Sequence, residues 1–168
     1  LAWRLRQSPS CERLIAAPGN PGIARWAECV AIDPCDPRAV VDLATTHTID
    51  LVVVGPEAPL VAGVADALRE AGIAAFGPSA AAAQLEGSKG FTKDLCRATG
   101  IPTAAYRRFN DRRSALEHVC DHGAPLVVKL LTASNGAGAI LAESEHAAES
   151  VIEAFQGLDA NSLIQRFV

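Results

Sequence analysis

The chain has 168 residues, enough for one well-formed core or for one domain and part of a second. Its composition, 49% hydrophobic and 20% charged, is that of a folded globular protein and excludes a disordered tail. The formal net charge of −4 excludes broad, sequence-independent nucleic-acid binding, and no uncharged run reaches the roughly 18 residues of a membrane span, so neither partner is expected.

Leu1–Gln7 reads as the tail of a helix ended at Ser8-Pro9. The chain has no methionine and no signal-peptide pattern, so it is expected to begin inside a longer protein and to be cytoplasmic. Arg13–Ala17 and Cys29–Ile32 are short strand candidates, the first stopped by the dense turn signal Pro18-Gly19-Asn20-Pro21-Gly22. Asp36 caps a helix that has Pro37 at its first position and reaches about His47. Asp50–Gly55 is the strongest strand, apolar on both faces and therefore expected at the centre of a parallel sheet. A helix over 59–71, ended by Gly72, and a strand Ile73–Phe76 follow.

A further helix starts at Lys89 and runs to about Ala98; Thr99-Gly100-Ile101-Pro102 marks a domain junction. Beyond it come a strand near Ala104–Phe109, a helix Asp111–Asp121 and a strand Pro125–Leu131. A turn Ser134–Gly138, a strand Ala139–Ala142, a helix capped by Ser144 and a strand Ser162–Val168 complete the chain. Strands alternating with helices predict an α/β fold. Residues 1–101 are expected to form a doubly wound parallel-sheet domain with Rossmann-like layering, and residues 102–168 the start of a smaller α+β domain.

Two apolar runs each end in Gly-Pro, at Gly55-Pro56 and Gly77-Pro78, which opens the chain at the carboxyl edge of a sheet where ligands bind. Ser88 can cap the next helix, placing Lys89 beside free backbone N–H groups, a place to hold a phosphate. An exposed helix-start lysine is the alternative. Lys129 ends an apolar strand, where an ammonium must snorkel or meet a charge. Glu57 is either a substrate-orienting carboxylate or a solvated turn residue.

Five cysteines without Cys-x-x-Cys spacing read as buried or half-buried free thiols. His118 and His122, one turn apart, have no third ligand and read as a solvated helix face, and Arg107, Arg108, Arg112 and Arg113 as a solvated corner. Asn135-Gly136 can be a hairpin turn.

Several strings resemble the phosphoribosylamine–glycine ligase (glycinamide ribonucleotide synthetase) family of the ATP-grasp superfamily. They are Ala17–Gly22, Asp50–Leu60, Phe76-Gly77-Pro78, Ala82–Lys93, Ile101-Pro102-Thr103 and Ala124–Lys129, in one register along nearly the whole chain. The resemblance implies a purine-biosynthetic, ATP-dependent carbon–nitrogen ligase in which ATP activates glycine as an acyl phosphate that 5-phosphoribosylamine attacks. It implies ATP with Mg2+ or Mn2+, small-molecule substrates and a monomer. Lys89 and Lys129 take the places of the two ATP lysines, Gly136 and Gly138 those of the phosphate-covering loop, and Gln165, Arg166 and Val168 those of the adenine-reading strand. Gly19, Asn20, Gly55, Pro56 and Glu57 take those on the sugar-phosphate side.

Three departures are visible. The family's opening strand and Gly-rich turn do not precede Leu1, the loop lysine is replaced by Ala137, and the family's Mg2+ ligands correspond to positions past Val168. The expectation is a fragment that holds no catalytic residue and does not catalyse alone. Alternatives are a non-catalytic nucleotide- or sugar-phosphate-binding remnant and another ATP-grasp carboxylate–amine ligase.

Overall fold

A computed structural model describes residues 1–130, 139–156 and 162–166. The chain divides into two compact units, Leu1–Ala83 and Gln84–Val168, and the junction expected near Thr99–Pro102 falls inside the second.

The first unit begins with α1 (Ala2–Arg6), followed by β1 (Ile15–Ala16) and β2 (Glu28–Cys29), which pair in parallel. α2 (Pro37–Thr46) starts as the sequence predicts: Asp36 accepts hydrogen bonds from the Arg38 and Ala39 amides, and Pro37, lacking an N–H, occupies the first turn. β3 (Leu51–Val53) and β4 (Ala74–Phe76) form a second parallel pair, with Val52 opposite Ala75. The sheet of this α/β unit therefore stands, among the described residues, as two parallel pairs. Accordingly β3 has a ladder partner on one side only, and Leu51 is 55% exposed, where burial on both faces is expected from its sequence.

The helix expected over 59–71 is two helices, α3 (Glu57–Val61) and α4 (Val64–Glu70). Gly63 separates them at φ +89°, a left-handed conformation that ends one helix and starts the next. Leu68 and Val64 of α4 pack with Ala44 of α2 over β3 and β4, and Leu60, Ala65 and Ala83 make a smaller neighbouring cluster.

α5 (Ala80–Gly87), absent from the sequence expectations, begins at Ser79, whose Oγ accepts from the Ala82 amide. The Asp66 carboxylate of α4 accepts from the Ala80 amide at 2.7 Å, a cap supplied by another helix that no local pattern announces.

The second unit opens with α6 (Lys89–Thr99), capped by Ser88 and closed by Gly100 at φ +71°. β5 (Tyr106–Phe109), α7 (Arg112–His122), β6 (Leu126–Leu130), β7 (Ala139–Ala142), α8 (Glu145–Gln156) and β8 (Ser162–Arg166) follow. The strands make one antiparallel sheet in the order β5-β8-β6-β7. The period of two sends Leu126 and Val128 to one face, where they are 3% and 0% exposed. There they join Phe109 and Ala142 under Ala115 and Val119 of α7 and Ala148 and Ile152 of α8 in a continuous core. Val127 and Lys129 take the opposite face. The unit is α+β, an antiparallel sheet with α7 and α8 packed on one face.

His118 departs from the expected solvated face. It is half-buried, its ring centroid lies 5.1 Å from that of Phe109 and 3.9 Å from that of His122, and its Nδ1 is buried without a hydrogen-bond partner. The aromatic surface of Phe109 draws the ring in. The four arginines are exposed, as expected of a solvated corner, and carry surface contacts: Arg108 pairs with Asp94, Arg112 with Glu153 and Arg113 with Glu117, while Arg107 lies over the Phe109 ring. All five cysteines are free, but Cys29, Cys35 and Cys120 are exposed, where burial or half-burial is expected.

Candidate functional site

In the first unit the candidate residues lie after the carboxyl ends of parallel strands, where open α/β sheets present ligands. Gly19 and Asn20 follow β1, Gly55, Pro56 and Glu57 follow β3, and Gly77-Pro78 follows β4. Two of these glycines are demanded by packing. At Gly19, φ is +78° and a Cβ would stand 2.3 Å from the Cys29 sulfur; at Gly77, φ is +155° and a Cβ would stand 2.6 Å from a Leu60 methyl. A Cβ at Gly55 would meet nothing within 4 Å, so packing does not ask for glycine there.

The Asn20 Oδ1 accepts from the Gly22 and Ile23 amides, both at 3.0 Å, and so sets the turn before a 3-10 segment, Ile23–Arg25. The Gly77 carbonyl accepts from the Arg69 guanidinium, which fixes the Gly-Pro turn to α4. Pro56 precedes α3 in an extended conformation, and Glu57 opens that helix, half-buried.

In the second unit Lys89 occupies the first position of α6 and Lys129 lies on β6, opposite Ala139 of β7 and Leu163 of β8. The two ammonium groups interact. Burial first, then the positive charge of Lys129, holds the Lys89 amine below the ordinary lysine range, with Glu86 pulling the other way. The same pair of causes lowers Lys93, one helical turn on from Lys89, with the Cys96 side chain opposing them. Lys129 on β6 thus acts on both Lys89 and Lys93 of α6. Positive charge beside a helix N-terminus favours an anionic ligand.

Lys93 was not singled out by sequence reasoning. Its signal is the i, i+4 spacing from Lys89, which puts both side chains on one face of α6. Its Nζ donates to the Thr103 hydroxyl at 2.7 Å and to the Ala104 carbonyl at 3.0 Å, and lies 5.5 Å from the centre of the Tyr106 ring. Gln165 and Arg166 stand in β8, Gln165 opposite both Tyr106 and Val127, and Arg166 opposite Leu126. Gly136, Gly138 and Val168, with Ala137 and the Asn135-Gly136 turn, lie outside the described residues. Among the described residues no group of three or more His, Cys, Asp or Glu side chains stands together as a metal site, and no helix is long and apolar enough to cross a membrane.

Comparison with known proteins covers nearly the whole chain. Residues 1–86 match the family "Phosphoribosylglycinamide synthetase, N domain", and residues 87–163 match "Phosphoribosylglycinamide synthetase, ATP-grasp (A) domain". The chain is 56% identical over 158 residues to the phosphoribosylamine–glycine ligase of Rhizobium meliloti, covering 94% of this chain and 37% of the relative. It is 55% identical over 153 residues to that of Agrobacterium fabrum, covering 91% and 36%. The chain therefore spans little more than a third of the length of these curated relatives.

Among solved structures, the phosphoribosylamine–glycine ligase of Thermotoga maritima superposes with a TM-score of 0.72 at 19% identity, covering 99% of this chain and 42% of that one. The biotin carboxylase domain of the Hydrogenobacter thermophilus 2-oxoglutarate carboxylase gives 0.73 at 20% identity, covering 99% and 42%. At these identities the likeness is one of fold.

Proposed function

The chain belongs to the phosphoribosylglycinamide synthetase family, and on that premise we propose that it is part of an ATP-dependent ligase joining glycine to 5-phosphoribosylamine. The products are glycinamide ribonucleotide, ADP and phosphate, in purine biosynthesis. Transfer of the ATP γ-phosphoryl group to the glycine carboxylate gives an acyl phosphate and ADP. The sugar amine then attacks the acyl carbon, loses a proton and expels phosphate. Neither step needs a covalent bond to these residues; the protein positions the reactants and neutralises charge.

Lys89 and Lys129 are proposed to hold the nucleotide phosphates. Gly136 and Gly138 are assigned to the covering loop, and the backbone of Gln165, Arg166 and Val168 to the adenine. Gly19, Asn20, Gly55, Pro56 and Glu57 are assigned to the sugar-phosphate side. The observation that carries the reading is the placement of Lys89 at the Ser88-capped start of α6, within electrostatic reach of Lys129 on β6, an arrangement that suits a polyphosphate. The described residues make no site for Mg2+ or Mn2+, and no step is derived through a metal. The same reading makes the protein a cytoplasmic monomer acting on small molecules, its catalytic residues supplied from outside these positions.

Titration of a fluorescent ATP analogue into the purified chain tests the assignment. Saturable binding is expected, weakened about 10- to 100-fold by Lys89→Ala or Lys129→Ala, the loss typical of one charge-assisted hydrogen bond. Equal affinity in both variants, or no saturable binding at all, overturns it.

A further inference from the structure

α6 carries Lys89, and its seating on β5 decides where that lysine stands. Residues 90, 94 and 97 recur at helical spacing on one face of α6. At Gly90 the Arg108 side chain crosses so closely that a Cβ would lie 2.7 Å from its Nη1 and 3.1 Å from its Cδ. Beyond that crossing Arg108 pairs with the Asp94 Oδ2, and the Tyr106 hydroxyl donates to the Asp94 Oδ1 at 2.5 Å. Arg97 stands i, i+3 from Asp94 and over the Tyr106 ring. On the adjoining face Lys93 reaches Thr103 and Ala104, the residues that lead into β5.

We propose that Asp94 and Lys93 are positioning residues that clamp α6 onto β5 and its entry segment, so that the Lys89 ammonium is presented together with that of Lys129. The proposal rests on the phosphate-binding reading given above and adds to it the part that fixes the geometry. Asp94 takes two donors of β5, Tyr106 and Arg108, which are alternate residues and so share one face of that strand. Lys93 holds the turn that leads into the strand. Gly90 is what lets the Arg108 arm lie flat against the helix.

The sign of one substitution separates a clamp from simple electrostatics. Asp94→Asn removes a negative charge near a cluster of lysines. In a fixed frame that change does not weaken a polyphosphate ligand and does not raise the Lys89 amine. Loss of the clamp does the opposite: Lys89 drifts from Lys129, the ligand binds more weakly, and the amine returns toward ordinary lysine behaviour.

The test has two arms on the full chain. In the first, a fluorescent ATP analogue is titrated into the unmodified chain, Asp94→Asn, Lys93→Gln, Lys93→Arg and Tyr106→Phe. About tenfold weaker binding is expected for Asp94→Asn and Lys93→Gln, partial recovery in Lys93→Arg, and a smaller loss in Tyr106→Phe. In the second, the rate of acylation of Lys89 is followed against pH by mass spectrometry, without nucleotide. Its midpoint is expected to rise in Asp94→Asn and Tyr106→Phe.

Unchanged or tighter binding in Asp94→Asn, with Lys89→Ala still weakening it, overturns the clamp and leaves the phosphate site standing. If the unmodified chain binds no analogue, the phosphate reading fails and the acylation profile alone decides: an unmoved or lowered midpoint in both variants overturns the clamp. Should Asp94→Asn not fold, Tyr106→Phe, which deletes a single hydroxyl, carries both arms.

Discussion

The antiparallel sheet of the second unit and the parallel pairs of the first bury their apolar residues by different routes. In the second, β6 has partners on both sides, and one core runs from Phe109 and Ala115 through Val128 to Ile152. In the first, each described strand has one partner, and the apolar residues divide between a cluster around Leu68 and another around Leu60. Phe76 is 70% exposed and Leu51 55%, whereas Val128 is fully buried. Three antiparallel ladders run through one four-stranded sheet in the second unit, whereas the first holds two separate parallel pairs. The short strand β3 therefore depends on the helices laid against it.

The same deletion placed in each unit sharpens the contrast most. Leu126→Ala and Leu68→Ala are both expected to cost about 2–5 kcal/mol, read by urea denaturation. Leu126 should fall at the upper end, since ladder bonds and two helices keep its surroundings from collapsing. Leu68 is ringed by half-buried Val40, Val41, Ile49, Val52 and Ile73, which have room to close in. Equal losses would erase the distinction.

Next in size is Gly77→Ala, expected to destabilise the first unit by about 1–3 kcal/mol, because the new methyl meets Leu60 and the backbone conformation disfavours a side chain. Gly55→Ala, with open space around it, is the control and should leave the denaturation midpoint unmoved. Removing helix caps comes third. Asp36→Ala in the first unit and Asp111→Ala in the second should each cost about 1 kcal/mol, visible as faster amide exchange in the first turn of α2 and α7. Similar losses would show that capping is local and indifferent to the sheet behind it.

The smallest effect expected is with pH. Burial, then the charges of His122 and Arg107, pushes His118 below the ordinary histidine value, with Asp121 opposing. Above that ordinary value the imidazole is neutral in both folded and unfolded chains. As pH falls through it the unfolded chain takes up the proton first, so stability declines until the lowered folded-state value is passed. Melting of the second unit followed between pH 7 and 5 should show that decline, and His118→Gln should flatten it.

Much of this architecture is legible from local chemistry. Asp36-Pro37, Ser88, Asp111 and Ser144 announce their helices because a cap involves residues two or three apart and nothing more distant. The apolar run Leu126–Val128 announces the strand β6, while which of its faces is buried is settled by α7 and α8. The break at Gly63 is less legible, since a glycine inside an apolar helical pattern reads equally as a tolerated interruption. The start of α5 depends on Asp66, fourteen residues earlier, and the burial of His118 on Phe109 of another element.

For the site, the amino-acid sequence by itself determined the family strings, the capped helix that begins at Lys89 and the strand that ends near Lys129. Only the tertiary structure decided that Lys93 joins those two, that Gly90 makes way for Arg108, and that Asp94 gathers Tyr106 and Arg108 of β5. The reason is range: a cap or a strand period is written within a few neighbouring residues. The approach of two ammonium groups forty positions apart exists only once a helix has been set down on a sheet.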